Sequence, residues 1–130
     1  MKIHHIGYLV KKIEKSIESF EALGYLITVS STWDEGRKAH ICFLENEGYC
    51  VELICPSKES SLYTLLKQYN NAPYHICYVC DHLEQTIEGL ASKKFMMFKE
   101  PAPAPVIGKN ARVAFLMNAS IGMIELVEEK

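Results

Sequence analysis

The chain contains two copies of one segment pattern, and this duplication limits its fold more than any other feature. The segment HHIGYLV, residues 4–10, returns as YHICYVC, residues 74–80, at an offset of 70. AHICFLEN, residues 39–46, matches ARVAFLMN, residues 111–118, at an offset of 72. Finally, VEL at 51–53 matches IEL at 124–126 at an offset of 73. Because the order is kept and the spacing drifts so little, we interpret the chain as a tandem repeat.

Each copy is predicted to form a strand, a helix and three further strands. In the first copy an apolar segment at 3–10 predicts the opening strand, and Ile13, Ile17 and Phe20 recur at the spacing of an amphipathic helix. Gly24 is the expected stop of that helix. The hairpin sequence NEG joins the last two of three further strands, predicted near 25–31, 38–45 and 49–55.

The second copy has the same predicted order after a linker at 57–73. We predict a strand at 74–80, a helix at 82–92 and three strands near 95–99, 111–117 and 122–128. The linker contains SSLYTLLKQYN, which predicts a short helix capped by serine. The segment EPAPAPVIGKN, 100–110, is too rich in proline and glycine for a regular strand, so a loop at a pocket rim is expected. The prediction is one domain, 1–130, with a first module at 1–56 and a second at 74–130.

Composition and charge exclude several classes of partner. With 130 residues, 48% of them hydrophobic and 23% charged, the chain can bury a core of its own. A net charge of −2 and the lack of a basic stripe argue against nucleic acid, and no apolar run is long enough to span a membrane. Five cysteines and no signal-peptide pattern predict reduced thiols and a cytoplasmic location. Cys77 and Cys80 lie three apart on a strand and therefore face opposite sides, which favours a structural role.

Four residues at equivalent places in the two copies are candidate metal ligands. Each copy has one histidine in its first strand and one glutamate in its last strand: His5 and Glu52, then His75 and Glu125. A carboxylate inside an apolar strand is costly unless it is paired or bound to a cation. Two imidazoles and two carboxylates suit one divalent metal such as Zn, Ni, Co or Mn, and they leave positions open for water or substrate. The set predicts a catalytic rather than a structural metal.

This order of ligands on paired βαβββ units resembles the vicinal oxygen chelate superfamily. Its members include glyoxalase I, methylmalonyl-CoA epimerase, extradiol dioxygenases and the fosfomycin and bleomycin resistance proteins. HHIGYLV, VELICP, YHICYV, RVAFL and GMIELVE are most similar to the epimerase and glyoxalase branches. The resemblance implies an α+β fold in which two tandem βαβββ modules form a half-barrel, or curved mixed sheet, with a metal-containing cavity. It implies a homodimer and, as metal ligands, His5, Glu52, His75 and Glu125.

Both branches abstract a proton next to a carbonyl, and the resemblance also implies catalytic roles. Glu125 is the first candidate for the base, and Glu52 is the candidate for the opposite face of the substrate. His40 is a third candidate, because some epimerases have a catalytic carboxylate at about this place. An acyl-CoA or thiol-adduct substrate needs cationic contacts, and the candidates that flank the expected cavity mouth are Arg37, Lys109 and Arg112.

The resulting expectation is a metal-dependent isomerase of the methylmalonyl-CoA epimerase type, acting on an acyl thioester or related acid. One alternative is a lyase of the glyoxalase I type, acting on the adduct of a thiol and a 2-oxoaldehyde. Another is a resistance-type protein that binds a small molecule without catalysis. The sequence leaves open which metal is bound and whether one chain or two chains complete a site.

Overall fold

The structure is a computed structural model that describes residues 1–130. It contains eight strands and three helices in the order β1(Ile3–Leu9), α1(Ile13–Ala22), β2(Leu26–Asp34), β3(Ala39–Asn46), β4(Tyr49–Pro56), α2(Tyr63–Tyr69), β5(Ala72–Val79), α3(Leu83–Ala91), β6(Met96–Pro103), β7(Arg112–Asn118) and β8(Gly122–Glu128). The predicted α+β class and the two βαβββ modules are confirmed. No helix has the length and apolar character needed to cross a membrane.

The chain divides into two compact units. We name residues 5–74 the N-terminal unit, and residues 1–4 together with 75–130 the C-terminal unit. The first four residues of the chain therefore group with the unit that contains the second repeat, and there the Val79 amide donates a hydrogen bond to the Lys2 carbonyl at 2.8 Å. Strand β1 begins in the C-terminal unit and continues in the N-terminal one.

The N-terminal unit is built on strands in the order β2-β3-β4-β1, with β1 parallel to β4 and the other pairs antiparallel. Helix α1 covers one face of these strands. Its buried Ile13 and Ile17 pack against residues that alternate along the neighbouring strands, including Cys42, Leu44 and Leu53. Burial of this apolar stripe holds the helix in place, since an isolated helix of this length is marginal in water.

The C-terminal unit repeats this arrangement with strands in the order β5-β8-β7-β6 and a parallel β5–β8 pair. Helix α3 covers the corresponding face, where Leu83 packs with Leu116 and Leu126. Its first turn is tied to β8, because the Leu83 amide donates a hydrogen bond to the Glu128 carboxylate at 2.9 Å.

A residue with positive φ follows each of the two long helices, two residues after the end of α1 and three residues after the end of α3. Gly24 has φ +103°, as its predicted role as helix stop requires. At the offset of 70 the second copy has Lys94, with φ +68°, where glycine would be less strained.

The linker helix differs in detail from its prediction. Helix α2 begins at Tyr63, and no side chain caps the amides of its first turn. Ser60 instead accepts a hydrogen bond from the Leu62 amide, just before the helix. The predicted serine cap is therefore wrong.

Strand β6 is longer than predicted and includes Pro101 and Pro103. It is the last strand in the order, so only one of its sides pairs, and its register shifts twice, between Met97 and Lys99 and between Lys99 and Ala102. An irregular edge strand tolerates proline because the N–H group that proline lacks would point to the unpaired side of the strand, where no neighbouring strand needs it as a hydrogen-bond donor.

Candidate metal centre

In the N-terminal unit, the parallel pairing of β1 and β4 brings His5 to Glu52. Gly7 is the register partner of Glu52, and His5 lies two residues earlier on the same face of β1. The His5 Nε2 and Glu52 Oε1 atoms are 3.1 Å apart, and the two side chains are 0% and 1% exposed.

The C-terminal unit contains the equivalent pair. Cys77 is the register partner of Glu125, and His75 precedes it by two residues in β5. The His75 Nε2 and Glu125 Oε1 atoms are 3.0 Å apart, and these side chains are 0% and 2% exposed. In each unit, therefore, the predicted histidine and glutamate meet through a nitrogen and an oxygen that can both ligate a metal.

A phenylalanine that sequence reasoning missed supports each histidine. Phe43 is the register partner of Glu52 in β3, and its ring meets His5 edge-on at 5.3 Å. Phe115 is the register partner of Glu125 in β7 and meets His75 at the same distance. The signal was present, because both residues occupy the same place in the repeated segments AHICFLEN and ARVAFLMN.

Arg37 binds the carboxylate of the N-terminal pair. Its Nη2 atom donates to Glu52 Oε2 at 3.1 Å, and its Nε atom donates to Asp34 Oδ2 at 2.9 Å. The Arg37 amide also donates to Asp34 Oδ1, at 3.3 Å. The side chains of Asp34 and Arg37 are 13% and 16% exposed, whereas that of Glu52 is 1% exposed. Asp34 was not identified from the sequence.

The ligand-bearing face of the C-terminal unit is bordered by a different structure, the apolar segment 104–111. Ala104, Ile107 and Ala111 pack against a cluster that includes Cys77 and Val127, which lie on the same face as His75 and Glu125. The segment is closed by a hydrogen bond from the Ala104 amide to the Ala111 carbonyl at 2.9 Å. The loop predicted over 100–110 thus lies beside the ligand pair, although its first residues belong to β6.

His40 lies on the opposite face of the sheet from Glu52. It is exposed, is the register partner of Cys55 and packs against Trp33 at 5.0 Å. Alternation along β3 explains this position, because Phe43 shares the face of Glu52, and residues 40 and 43 are three apart. The structure does not bring His40 to the carboxylate, contrary to the role suggested for it as a base.

Arg112 also lies on the helix-covered side of its own unit. Its guanidinium contacts Glu84 Oε2 at 2.7 Å and Glu128 Oε1 at 3.0 Å. Arg112 shares a face of β7 with Ala114 and Leu116, which pack under the helix, and Glu125 is on the opposite face of the sheet. Lys109 is exposed in the turn that precedes β7. Of the three predicted substrate-binding cations, only Arg37 contacts a predicted ligand within its own unit.

The cysteines are suited to packing. All five are free thiols. Burial raises the pKa of both Cys42 and Cys50 to about 11, and it raises the pKa of Cys55 and Cys80 as well. A thiol with a raised pKa is neutral at pH 7 and is a poor nucleophile or metal ligand. Cys77 and Cys80 pack in different clusters, as the strand period predicts.

The fold is shared with known proteins. Several solved structures have the same fold across nearly the whole chain. A hypothetical protein from Bacillus halodurans C-125 has a TM-score of 0.87 at 25% identity, with 99% of this chain and 94% of that chain covered. Methylmalonyl-CoA epimerase from Mycobacterium tuberculosis has a TM-score of 0.84 at 19% identity, with 98% and 87% covered. A variant of the Streptomyces coelicolor methylmalonyl-CoA epimerase in complex with 2-nitronate-propionyl-CoA has a TM-score of 0.84 at 17% identity, with 99% and 94% covered.

A search of curated protein sequences gives no match. The family model described as the glyoxalase/bleomycin resistance protein/dioxygenase superfamily matches residues 4–115, which include both histidines, Glu52 and both supporting phenylalanines. The chain belongs to the glyoxalase/bleomycin resistance protein/dioxygenase superfamily.

Proposed function

We propose that this protein is a divalent-metal-dependent isomerase that moves a proton next to a carbonyl group, with an acyl-CoA thioester or a related acid as substrate. One observation carries the proposal: a buried histidine and a buried glutamate meet at equivalent places in the two units. Structures of methylmalonyl-CoA epimerases share the fold, and this supports the choice of reaction.

The donor set fits a divalent metal, and we propose that the four residues together hold one ion. His5, Glu52, His75 and Glu125 are all buried, and each offers one ligand atom. Two buried carboxylates bring two negative charges, which a divalent cation would neutralise. A mixed nitrogen and oxygen set without thiolate is typical of catalytic rather than structural ions. Such an ion would polarise the substrate carbonyl and so make its α-proton more acidic.

The chain's own residues supply the base and the dry surroundings. We assign Glu125 as the carboxylate that accepts the α-proton on one face of the substrate, and Glu52 as the acid that supplies a proton on the opposite face, because return of the proton to the same face would regenerate the starting isomer. The apolar segment 104–111 borders its face of the sheet and keeps water from that side. A carboxylate in apolar surroundings is a stronger base than one in water, because burial disfavours its charged form.

The proposal extends to assembly and location. Large apolar side chains are exposed at equivalent positions of strands β2 and β6: Leu26 and Ile27 in β2 correspond to Met96 and Met97 in β6. Exposed apolar strands of this kind favour association, so we propose a homodimer. Five free cysteines agree with a reducing compartment, and we propose the cytoplasm.

The first experiment measures metal content and proton exchange on the same preparations. Elemental analysis is expected to find about one divalent metal per chain in the wild-type protein and none in His5→Ala. His82→Ala, a change at an exposed histidine outside the pair, is the matched control. The loaded protein is then incubated with methylmalonyl-CoA in D₂O, and incorporation of deuterium at the α-carbon is followed by mass spectrometry.

Three outcomes would redirect the proposal. Turnover of hemithioacetals of 2-oxoaldehydes, without exchange in any acyl-CoA, would identify a lyase. Metal binding without turnover of either class would favour a binding protein. Failure to bind Ni²⁺, Co²⁺, Mn²⁺ or Zn²⁺ would overturn the proposal entirely.

A further inference from the structure

The two ligand pairs have equivalent geometry but different surroundings. In the N-terminal unit a short turn, 35–38, carries Arg37 to the carboxylate of Glu52. In the C-terminal unit the connection between the corresponding strands, 104–111, is longer and packs an apolar surface on the ligand-bearing face. At the offset of 72, Arg37 corresponds to Lys109, which is exposed in its turn. The repeat therefore places a guanidinium on one glutamate and an apolar loop beside the other.

We infer that Arg37, held by Asp34, is a positioning residue that fixes the orientation of Glu52 as a metal ligand. The inference rests on the proposed function. It goes beyond that function because it assigns the orientation of a ligand carboxylate to two residues outside the ligand set.

The hydrogen-bond geometry supports a fixed Glu52. Its Oε1 atom is 3.1 Å from His5 Nε2, and its Oε2 atom is 3.1 Å from Arg37 Nη2, so both oxygens are restrained. The guanidinium is restrained in turn, because Asp34 accepts hydrogen bonds from both the side chain and the amide of Arg37. A planar guanidinium held at two points limits rotation of the carboxylate that it contacts.

Charge and positioning predict opposite effects on metal affinity. Arg37 is a cation beside the proposed site, so charge alone predicts that its removal tightens binding of a second cation. A residue that orients a metal ligand has the opposite effect, since loss of such a partner weakens metal binding by about 10- to 100-fold. The sign of the change therefore identifies the role of Arg37.

The test measures the Co²⁺ affinity of each variant by chelator competition, with no substrate present. Arg37→Met is expected to bind Co²⁺ about 10-fold more weakly than the wild type, or weaker still. Arg37→Lys, which keeps the charge but loses the planar fork, should fall between the two. Asp34→Asn should change the affinity in the same direction by a smaller factor. Arg112→Met is the matched control, because Arg112 binds carboxylates on the helix-covered side of the sheet. The Co²⁺ affinity of this variant is expected to equal that of the wild type.

The outcomes separate this inference from the proposed function. Wild-type protein that binds no Co²⁺ overturns both. Wild-type binding with equal or tighter binding by Arg37→Met overturns the inference alone. If Arg37→Met does not fold, as judged by circular dichroism, then Asp34→Asn and Arg37→Lys decide it, and wild-type affinity in both of them overturns it.

Discussion

Phe43 and Glu52 are register partners in the β3–β4 ladder, and the ring of Phe43 meets the imidazole of His5 edge-on, with an interplanar angle of 84°. Phe115 holds the same relation to Glu125 and His75, with an angle of 90°. An edge-on ring restricts rotation of the imidazole without using either of its nitrogen atoms. Each histidine therefore keeps a defined orientation while its Nε2 atom stays directed at the glutamate.

We expect Phe43→Leu to lower the free energy of unfolding by about 1 kcal/mol, because the leucine keeps most of the apolar volume but loses the ring contact. Its Co²⁺ affinity should also fall, since His5 gains rotational freedom. Urea unfolding and chelator competition check the two effects. Phe20→Leu is the control, because its ring packs with Tyr8 and Tyr25 on the helix side, and an equal loss of affinity there would contradict the role of Phe43.

We expect His75→Ala to abolish stoichiometric metal binding while most of the fold is kept. Loss of one buried hydrogen-bond partner lowers the free energy of unfolding by about 1–3 kcal/mol, which a domain of this size can tolerate. Elemental analysis and thermal unfolding measure both effects. Complete unfolding of the metal-free variant would instead indicate that the pair has a structural role.

Substitution of the two glutamates should separate their roles. Glu125→Gln is expected to lower α-proton exchange by about 100-fold or more, because an amide cannot accept the proton. Glu52→Gln should mainly weaken metal binding and retain more of the exchange rate at saturating metal. The exchange rate is measured for both variants as a function of Co²⁺ concentration. A larger loss in Glu52→Gln than in Glu125→Gln, at saturation, would reverse the assignment.

The helix stop of the second repeat offers a stabilising change. Lys94 has φ +68°, and glycine adopts this conformation without steric cost, so Lys94→Gly is expected to raise the free energy of unfolding by about 0.5–1 kcal/mol. Gly24→Ala, at the equivalent stop with φ +103°, should change it in the opposite direction. Urea unfolding measures both. Destabilisation by Lys94→Gly would mean that the lysine side chain contributes more than its backbone costs.

Acid is expected to remove stability that depends on Arg112. Its hydrogen bonds to Glu84 hold the pKa of that carboxyl at about 2, against an ordinary 4.5. The pKa of Glu128 is also lowered, mainly by the hydrogen bond from the Leu83 amide and to a smaller extent by the hydrogen bond from Arg112. A lowered folded-state pKa gives stability that is complete above pH 4.5 and is lost as the pH falls toward 2.

Arg112→Met should therefore be less stable than the wild type at pH 6, and the two proteins should converge near pH 2. Thermal unfolding across this range measures the difference. Because Glu84 is exposed to solvent and Arg112 is partly exposed, the effect should also shrink with added salt. A difference that persists unchanged at pH 2 would have to come from packing of the arginine side chain instead.

The repeat made most of the architecture predictable. Strand β8 was predicted at 122–128 and observed at Gly122–Glu128, because its apolar residues and its preceding turn are both local signals. Strand β6 was predicted to end at 99 and continues to Pro103, since an edge strand with shifted register tolerates prolines that a central strand would reject. Its length depends on tertiary position, which a local pattern does not contain.

The candidate site was predictable only where the two copies agree. Each copy contains one histidine–glutamate pair and one phenylalanine beside it, so comparison of the two copies could have revealed all of these residues. The contact of Asp34 and Arg37 with Glu52 occurs in one unit and depends on the geometry of the turn at 35–38, so no repeated signal marks it. The position of His40 follows from strand alternation once Phe43 is placed opposite Glu52.

The first four residues of the chain belong to the unit that also contains its last residue, and there the His4 Nε2 atom lies 3.7 Å from Glu129 Oε2. The amino and carboxyl ends are consequently neighbours, and a short peptide would suffice to join them. A circular permutant opened at the exposed β3–β4 hairpin, between Glu47 and Gly48, would then have every strand pairing of the original. The strand pairings thus do not depend on which of the two repeats comes first along the chain.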